Sequence, residues 1–471
     1  MKTNKFYIFI FIGLLLLSSC DKGFEEMNKD PNNPTAVPAE LMIPGIVTTI
    51  GNEMYRVQVG GDMGACWAQQ ISKVQYNDEE RFYPRNSLID IVWDRFYANI
   101  IADANQMYKL AVAEENNDLM GIALVLKAYG FSIVTDLYGM APYTEALLAE
   151  EGNTTPVYDS QETIYMGITA TLDEAYNLLG TGNGVGATSD LIYQGDMQKW
   201  KSFAHSLKFR TLMRISGKKD VSADLQALYS AGNLFSSNAD EAKFAYQSAS
   251  PNANPIWETI VDRTRNEYKA CSTLVDLMVG KGDERVNVFF GENEDGDLRA
   301  KPPGIADVPS DDWNYANVSP VGDFYLQPEN PAILLSNAEL QFLIAEAAQR
   351  GLVPAADATA HFESGVVASF EANGIASQAT AYLAANTLIN EQTIAEEKYV
   401  ALYWQGLEVW TETRRTGYPE LVDVADKNPS VIGANRYFYH GDEASVNGEN
   451  YNAAVSIQGA DALDTKLWWM P

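Results

Sequence analysis

The chain has 471 residues, 46% of them hydrophobic and 11% aromatic, which is ample for a substantial core. Its formal net charge of -30 excludes charge-driven binding to nucleic acid or to an anionic lipid face, and leaves neutral, cationic or protein partners. The three cysteines form no Cys-x-x-Cys pair and none of the three histidines stands at metal-ligand spacing, which argues against structural zinc and dithiol redox chemistry.

Residues 1–19 carry Lys2 and Lys5, then an apolar run from Phe6 to Leu17, then Ser18-Ser19 directly before Cys20. A basic start, a short apolar stretch and small residues before a cysteine predict a lipoprotein signal peptide. Cleavage leaves Cys20 as the lipid-attachment residue, bearing palmitate-type chains, and takes the net charge to -32 through loss of the two lysines. Two or more acyl chains anchor durably where one does not. The later apolar runs look short and broken by charge, so no second span is expected. No Pro/Ser-rich linker divides residues 20–471, which predicts one domain. Cys66 and Cys271 remain as thiols; an oxidising compartment permits a bridge, but spacing does not show that they meet.

Helical periodicity dominates the rest. The stretch from Leu88 to Ala113 places Ile89, Trp93, Phe96, Ile100, Met107 and Leu110 on one side. Asp118 to Tyr138 repeats the pattern and stops at Gly139 and Pro142. Gln161 to Leu179 and Trp200 to Ile215 predict two further helices. Ser336 with Glu339 predicts a capping box opening the next one. His361 to Ala372 gives a short partner, and Ile394 to Thr416 one long helix ended by Gly417 and Pro419. Pairs with short connections predict a mainly α fold: tetratricopeptide-like antiparallel helical pairs in a right-handed stack, with few short strands. The helical scaffold is expected over about 35–235 and 332–420. Two stretches, about 51–86 and 282–331, look irregular and rich in Gly, Pro and Asn, and rigid scaffolds commonly carry function on such segments.

Most candidate chemistry dissolves on inspection. The glycine-rich run Gly180 to Gly186 follows a helix and lacks Gly-Lys-Ser/Thr, so a flexible connector is expected rather than a phosphate loop. His205 falls on the polar side of its helix; His361 and His440 read as packed or surface residues. The acidic run Glu292 to Asp297 offers hard oxygens for calcium, but its spacing departs from the calcium-loop pattern and a solvated turn is expected. Paired acids for glycoside hydrolysis are too easily met by chance in so acidic a chain. The sharper pattern is aromatic. Trp67, Tyr76, Trp313 and Tyr315 stand in the irregular stretches among Gln69, Gln70, Asn77, Asp311, Asp312, Asn314 and Asn317. Sugar rings stack a C–H face on such rings while their hydroxyls take amide and carboxylate partners, so these four are the predicted ligand-binding residues. The competing expectation is that single rings among them plug the scaffold.

A series of motifs in order gives the chain a resemblance. Asn28-Lys29-Asp30-Pro31-Asn32-Asn33-Pro34, Thr135-Asp136-Leu137-Tyr138-Gly139 with Pro142-Tyr143, and Trp200 to Ala204 with Arg210 and Arg214 are its first half. Ala338-Glu339 with Ala345-Glu346-Ala347 and Arg350-Gly351, then Arg414-Arg415-Thr416-Gly417-Tyr418-Pro419, and finally Trp468-Trp469 complete it. Together these resemble the SusD/RagB family of outer-membrane nutrient-binding lipoproteins, in its SusD-like branch. His205 stands where the family usually has Asn, Met140 where it has Asp, and Phe438-Tyr439-His440 where it has Tyr-Pro. The resemblance implies a surface-exposed lipoprotein in the outer membrane. It would sit as a lid on a TonB-dependent SusC-like transporter, capturing oligosaccharides, or in some members peptides, without catalysis. Arg414, Arg415 and Asp136 read as scaffold: two arginines suit the last carbonyls of a helix, and Asp136, placed against the dipole, calls for a partner such as an arginine. A hydrolase on the same scaffold, or a purely structural lipoprotein, are the rival expectations.

Overall fold

The computed structural model describes residues 37–471, so the signal peptide, Cys20 and the Asn28–Pro34 motif lie outside the described residues. Helices dominate and pack in sequence order. The Ala102–Ala113, Asn117–Tyr138, Gln161–Leu178 and Met197–Ile215 helices each lie against the next. Asn337–Gln349 packs on Ala358–Ala372 and on Glu391–Ala401 in the same way. This is the tetratricopeptide-like pairing expected from the periodicity. Side-chain caps fix the starts: Asn116 accepts from the amides of Asp118 and Leu119, Asp196 from Gln198 and Lys199, and Asp357 from Thr359 and Ala360. One core cluster runs from Ala39 to Met470, and a smaller one gathers Phe342, Phe362, Phe370 and Ile394.

Strands are few and short. β1 (Ile71–Lys73) pairs antiparallel with β5 (Tyr268–Ala270), β2 (Ala141–Pro142) with β3 (Tyr158–Asp159), and β4 (Ala242–Phe244) with β6 (Ala332–Leu335). Each pair ties an irregular segment back to the helical body.

An ion network crosses the helix interfaces. Arg214 contacts Asp136 at 3.3 Å, Glu408 at 2.5 Å and also Glu412. Arg415 contacts Glu346 at 2.5 Å and Glu412 at 2.9 Å, and Lys398 joins the same two acids. Asp136 thus has its arginine. Arg414 differs from its neighbour. It stacks on the Trp410 ring at 3.6 Å and donates to the carbonyls of Trp410, Asn435 and Asp136.

Several expectations are corrected. The stretch from Gly51 is helical through Ala65: Ile43–Tyr55 is an α-helix and Val57–Ala65 a wide π-type turn. Its glycines are packing surfaces rather than loop punctuation. A Cβ on Gly406 would sit 1.6 Å from the Gly60 carbonyl oxygen, and one on Gly64 2.6 Å from the Gly406 carbonyl carbon, so two backbones touch here. The expected long helix from Ile394 to Thr416 is two, Glu391–Ala401 and Gly406–Thr416, broken where Trp404 takes φ +64°. Only half of the capping box forms. Ser336 accepts from the Glu339 amide, but the Glu339 carboxylate turns inward to lie 3.6 Å from Arg210. His205 is buried and stacks on Tyr176 at 3.6 Å, and burial pushes it down to about 4. The Gly180 to Gly186 connector is held rather than loose, since Asp118 accepts from the amides of Gly180 and Gly184. The Asn117–Tyr138 helix is long and apolar enough to cross a membrane, contrary to the expectation that every later run is too short. However, 89% of its apolar window is buried inside the protein, as suits a core helix.

Candidate ligand-binding site

β1 ends in a sharp turn that presents Tyr76. Val74 donates its amide to the Glu267 carbonyl, extending the β1–β5 ladder by one step. Tyr76 then takes φ +52° and leaves the sheet with 60% of its surface exposed. A non-glycine residue in the left-handed region is uncommon and clusters at ligand clamps. Beside it lies a hollow of about 340 Å³ lined by Gln58, Asp62, Lys73, Tyr76, Asp78, Glu79, Arg85, Arg265 and Tyr268.

The floor of the hollow is ionic. Asp62 meets Lys73 at 3.0 Å and Arg85 at 3.0 Å, and Glu79 is bound by Arg85 and lies 3.9 Å from Lys73. Lys73 and Asp62 are buried, so each charge depends on its oppositely charged partners here. The rim is aromatic. Tyr315 donates its hydroxyl to Gln75 at 2.5 Å, which ties the loop after Ser310 to the end of β1. That loop is a compact knot in which the Asn314 side chain accepts from the amides of Ala316 and Asn317, and Asn317 accepts from Asn314.

The rings here and in the Tyr315 loop each carry a cation. Arg265 lies 5.1 Å over Tyr76, Lys269 5.8 Å over Tyr315, Arg299 4.8 Å over Trp313, and Lys73 5.0 Å over Tyr268. Such pairs are worth about 0.5–1 kcal/mol when exposed and fix the tilt of the ring. Burial pushes the Tyr315 hydroxyl upward, with Glu267 and Tyr76 adding to it, so it stays a neutral donor. The arrangement offers half-buried ring faces beside fixed hydrogen-bonding groups.

The four predicted aromatics therefore divide. Tyr76 lines the hollow, Tyr315 stands next to it through Gln75, and Trp313 lies in the Tyr315 loop, with Arg299 over its ring. Trp67 lies elsewhere: it is 3% exposed, donates its indole N–H to the Glu79 carbonyl at 2.7 Å, and packs edge-on against Trp410 at 4.9 Å. It floors a different hollow. Lys73, Arg85, Arg265 and Tyr268 were not singled out from the sequence. The β1–β5 pairing sets Lys73 opposite Tyr268 and so joins segments far apart in the chain, while Arg85 reaches the hollow through Asp62 and Glu79. The Glu292 to Asp297 turn folds on itself, with Asn293 accepting from the amides of Asp295 and Asp297. No group of three or more His, Cys, Asp or Glu suited to a metal occurs among the described residues. Cys66 and Cys271 are free and buried, and burial pushes the Cys271 thiol up to about 12.

Helical pairs carrying an aromatic, hydrogen-bonding hollow on irregular loops define a scaffolded ligand-binding protein. Solved structures share the whole architecture. A SusD homologue from Parabacteroides distasonis matches with a TM-score of 0.83 at 20% identity, over 92% of this chain and 98% of that one. A chitin-binding SusD homologue from Flavobacterium johnsoniae matches at 0.79 and 23%, over 91% and 98%. A SusD homologue from Bacteroides thetaiotaomicron matches at 0.77 and 24%, over 92% and 99%. Residues 31–439 match the SusD-like family described as starch-binding and associating with the outer membrane, and the chain belongs to that family. No curated protein matches it by sequence.

Proposed function

We propose that this protein is a cell-surface lipoprotein, anchored through Cys20 to the outer membrane, that binds an oligosaccharide at the Tyr76–Tyr315 hollow. It delivers that ligand to a TonB-dependent SusC-like transporter. The observation that carries the reading is the exposed, left-handed Tyr76 at the edge of the hollow, with Tyr315 tied to the adjacent Gln75 and fixed polar groups beside it. Sugar C–H faces stack on the rings, and hydroxyls bond to Gln58, Arg265 and Asp78. The family's description supports a carbohydrate, and the signal sequence ending at Cys20 supports the tether. Binding proceeds without turnover, because the two buried carboxylates of the hollow, Asp62 and Glu79, are committed to Lys73 and Arg85.

The test is a glycan array with a peptide panel in parallel, followed by calorimetry on the best ligand. An intact oligosaccharide recovered after long incubation, with affinity lost in Tyr76→Ala, is the expected result. Cleaved product, or peptide binding in place of glycan, overturns it. Co-purification with a barrel transporter and an acylated Cys20 peptide in the mass spectrum check the two remaining parts.

A further inference from the structure

A further hollow, of about 120 Å³, lies where the Phe324 stretch meets the helix stack. Phe324, Ile333 and Tyr403 give it apolar walls. Gln405 enters it from the reversal between Glu391–Ala401 and Gly406–Thr416, where Trp404 takes φ +64°. Gln405 is 5% exposed. It stands directly before its helix, at the position whose side chain commonly caps the first turn, yet it makes no cap bond. Neither the oxygen nor the nitrogen of its carboxamide has a hydrogen-bond partner among the described residues, and the side chain lines the hollow. A buried donor and acceptor left unmet are costly, so such a pair calls for an occupant.

Two hydroxyls of the lining also have protons to give. Tyr55 Oη accepts from the Ile333 amide at 3.1 Å and Ser336 Oγ from the Glu339 amide at 3.1 Å, and neither donates in turn among the described residues. Glu241 is the charged residue of the lining, held by Lys243 and the Asn337 amide, and no lysine or arginine lines the hollow. The walls therefore disfavour an anion and suit a neutral group with one donor, one acceptor and an apolar body. A cavity of about 150 Å³ takes a benzene, so this one takes a somewhat smaller group. At the mouth, Phe324 is 42% exposed and also borders an outer hollow of about 710 Å³ with Glu292 and Asp323. These two carboxylates form no ion pair among the described residues, so a free ring face stands beside free hydroxyl acceptors. That combination matches the C–H face and hydroxyls of a sugar ring.

We propose that this hollow is a second binding site, for the acetamido group of an N-acylated sugar. The methyl lies against Ile333 and Tyr403, the N–H donates to Gln405 Oε1, and the carbonyl accepts from the unspent donors of the lining. The sugar ring rests on Phe324. The proposal stands apart from the Tyr76 hollow.

Calorimetry with N-acetylglucosamine, glucose and N-acetyl-alanine methylamide, on the full chain and on its Tyr76→Ala form, tests it. N-acetylglucosamine binds about tenfold tighter than glucose in both proteins. Gln405→Leu, which removes an amide that bonds to nothing in the protein, keeps the melting temperature and abolishes the preference. Phe324→Ala, at the exposed mouth, weakens N-acetylglucosamine binding in the Tyr76→Ala protein. Equal binding of the two sugars, no saturable binding of either, or binding of the methylamide in place of the sugar overturns the proposal. So does a preference that survives Gln405→Leu, or an affinity unmoved by Phe324→Ala. A preference lost in Tyr76→Ala belongs to the other hollow and overturns this one alone.

Discussion

Tyr76 and Trp67 lie nine residues apart in the same stretch, and their neighbours decide their roles. Tyr76 faces solvent with Arg265 behind its ring; Trp67 is locked between Trp410, Tyr437 and Phe82. Tyr76→Ala and Tyr315→Ala each lower glycan affinity about tenfold, through loss of about 1–1.5 kcal/mol of ring contact, with little change in the unfolding midpoint. Trp67→Ala instead costs about 3–5 kcal/mol of stability, read by denaturant unfolding. Glu339 shows a second residue-scale effect. Burial, only partly offset by Arg210, pushes its carboxyl up to about 8, and neither oxygen has a hydrogen-bond donor. A raised folded pKa means the contribution is fully present below the unfolded value of about 4.5 and fades as pH rises to about 8. Glu339→Gln is therefore neutral near pH 5 and increasingly stabilising toward pH 8, which paired melts across that range measure. The sequence placed Ser336 and Glu339 as a capping box; the carboxylate's turn toward Arg210 was invisible because Arg210 sits on a distant helix.

Helices and turns carry the second layer. The Gly406–Thr416 helix and the Val57–Ala65 turn meet backbone to backbone, and no side chain fits at Gly406. Gly406→Ala costs about 1–3 kcal/mol through forced separation of the two elements, seen as a lower unfolding midpoint. The same helix supplies Glu412, which holds Arg214, Arg415 and Lys398 together. Glu412→Gln leaves three buried cations short of a partner and costs about 3–5 kcal/mol in the same assay. Amphipathic periodicity marked the paired helices well, because each buries one continuous face. It failed at the two places where the burial pattern hides a break. Gly60, Gly61 and Gly64 resemble a loop when their real role is close approach, and the apolar stripe from Tyr399 to Trp410 runs straight across the reversal at Trp404.

Across the whole molecule, the helix stack is held by apolar burial and by one shared charge network, so its stability depends on acid. Burial pushes Glu346 upward, but Arg415 and Lys398 outweigh it and hold the carboxyl at about 2. A depressed folded pKa contributes stability above the unfolded value of about 4.5, lost as pH falls toward about 2. The unfolding midpoint therefore drops steeply over that window, and less steeply in Glu346→Gln. By itself the sequence determined the helical class, the order of the pairs and the family, because periodic burial and local caps are written in neighbouring residues. Of its four candidate aromatics, Tyr76 lines the hollow and Tyr315 stands beside it. Only the tertiary structure decided that Trp67 belongs to another hollow, that Lys73, Arg85 and Arg265 shape the candidate site, and that Arg414 lacks the acid its neighbour has. Those outcomes rest on the packing of whole elements, with Trp67 against Trp410 and Arg265 over Tyr76 joining segments far apart in the chain, and no helical or strand spacing encodes them.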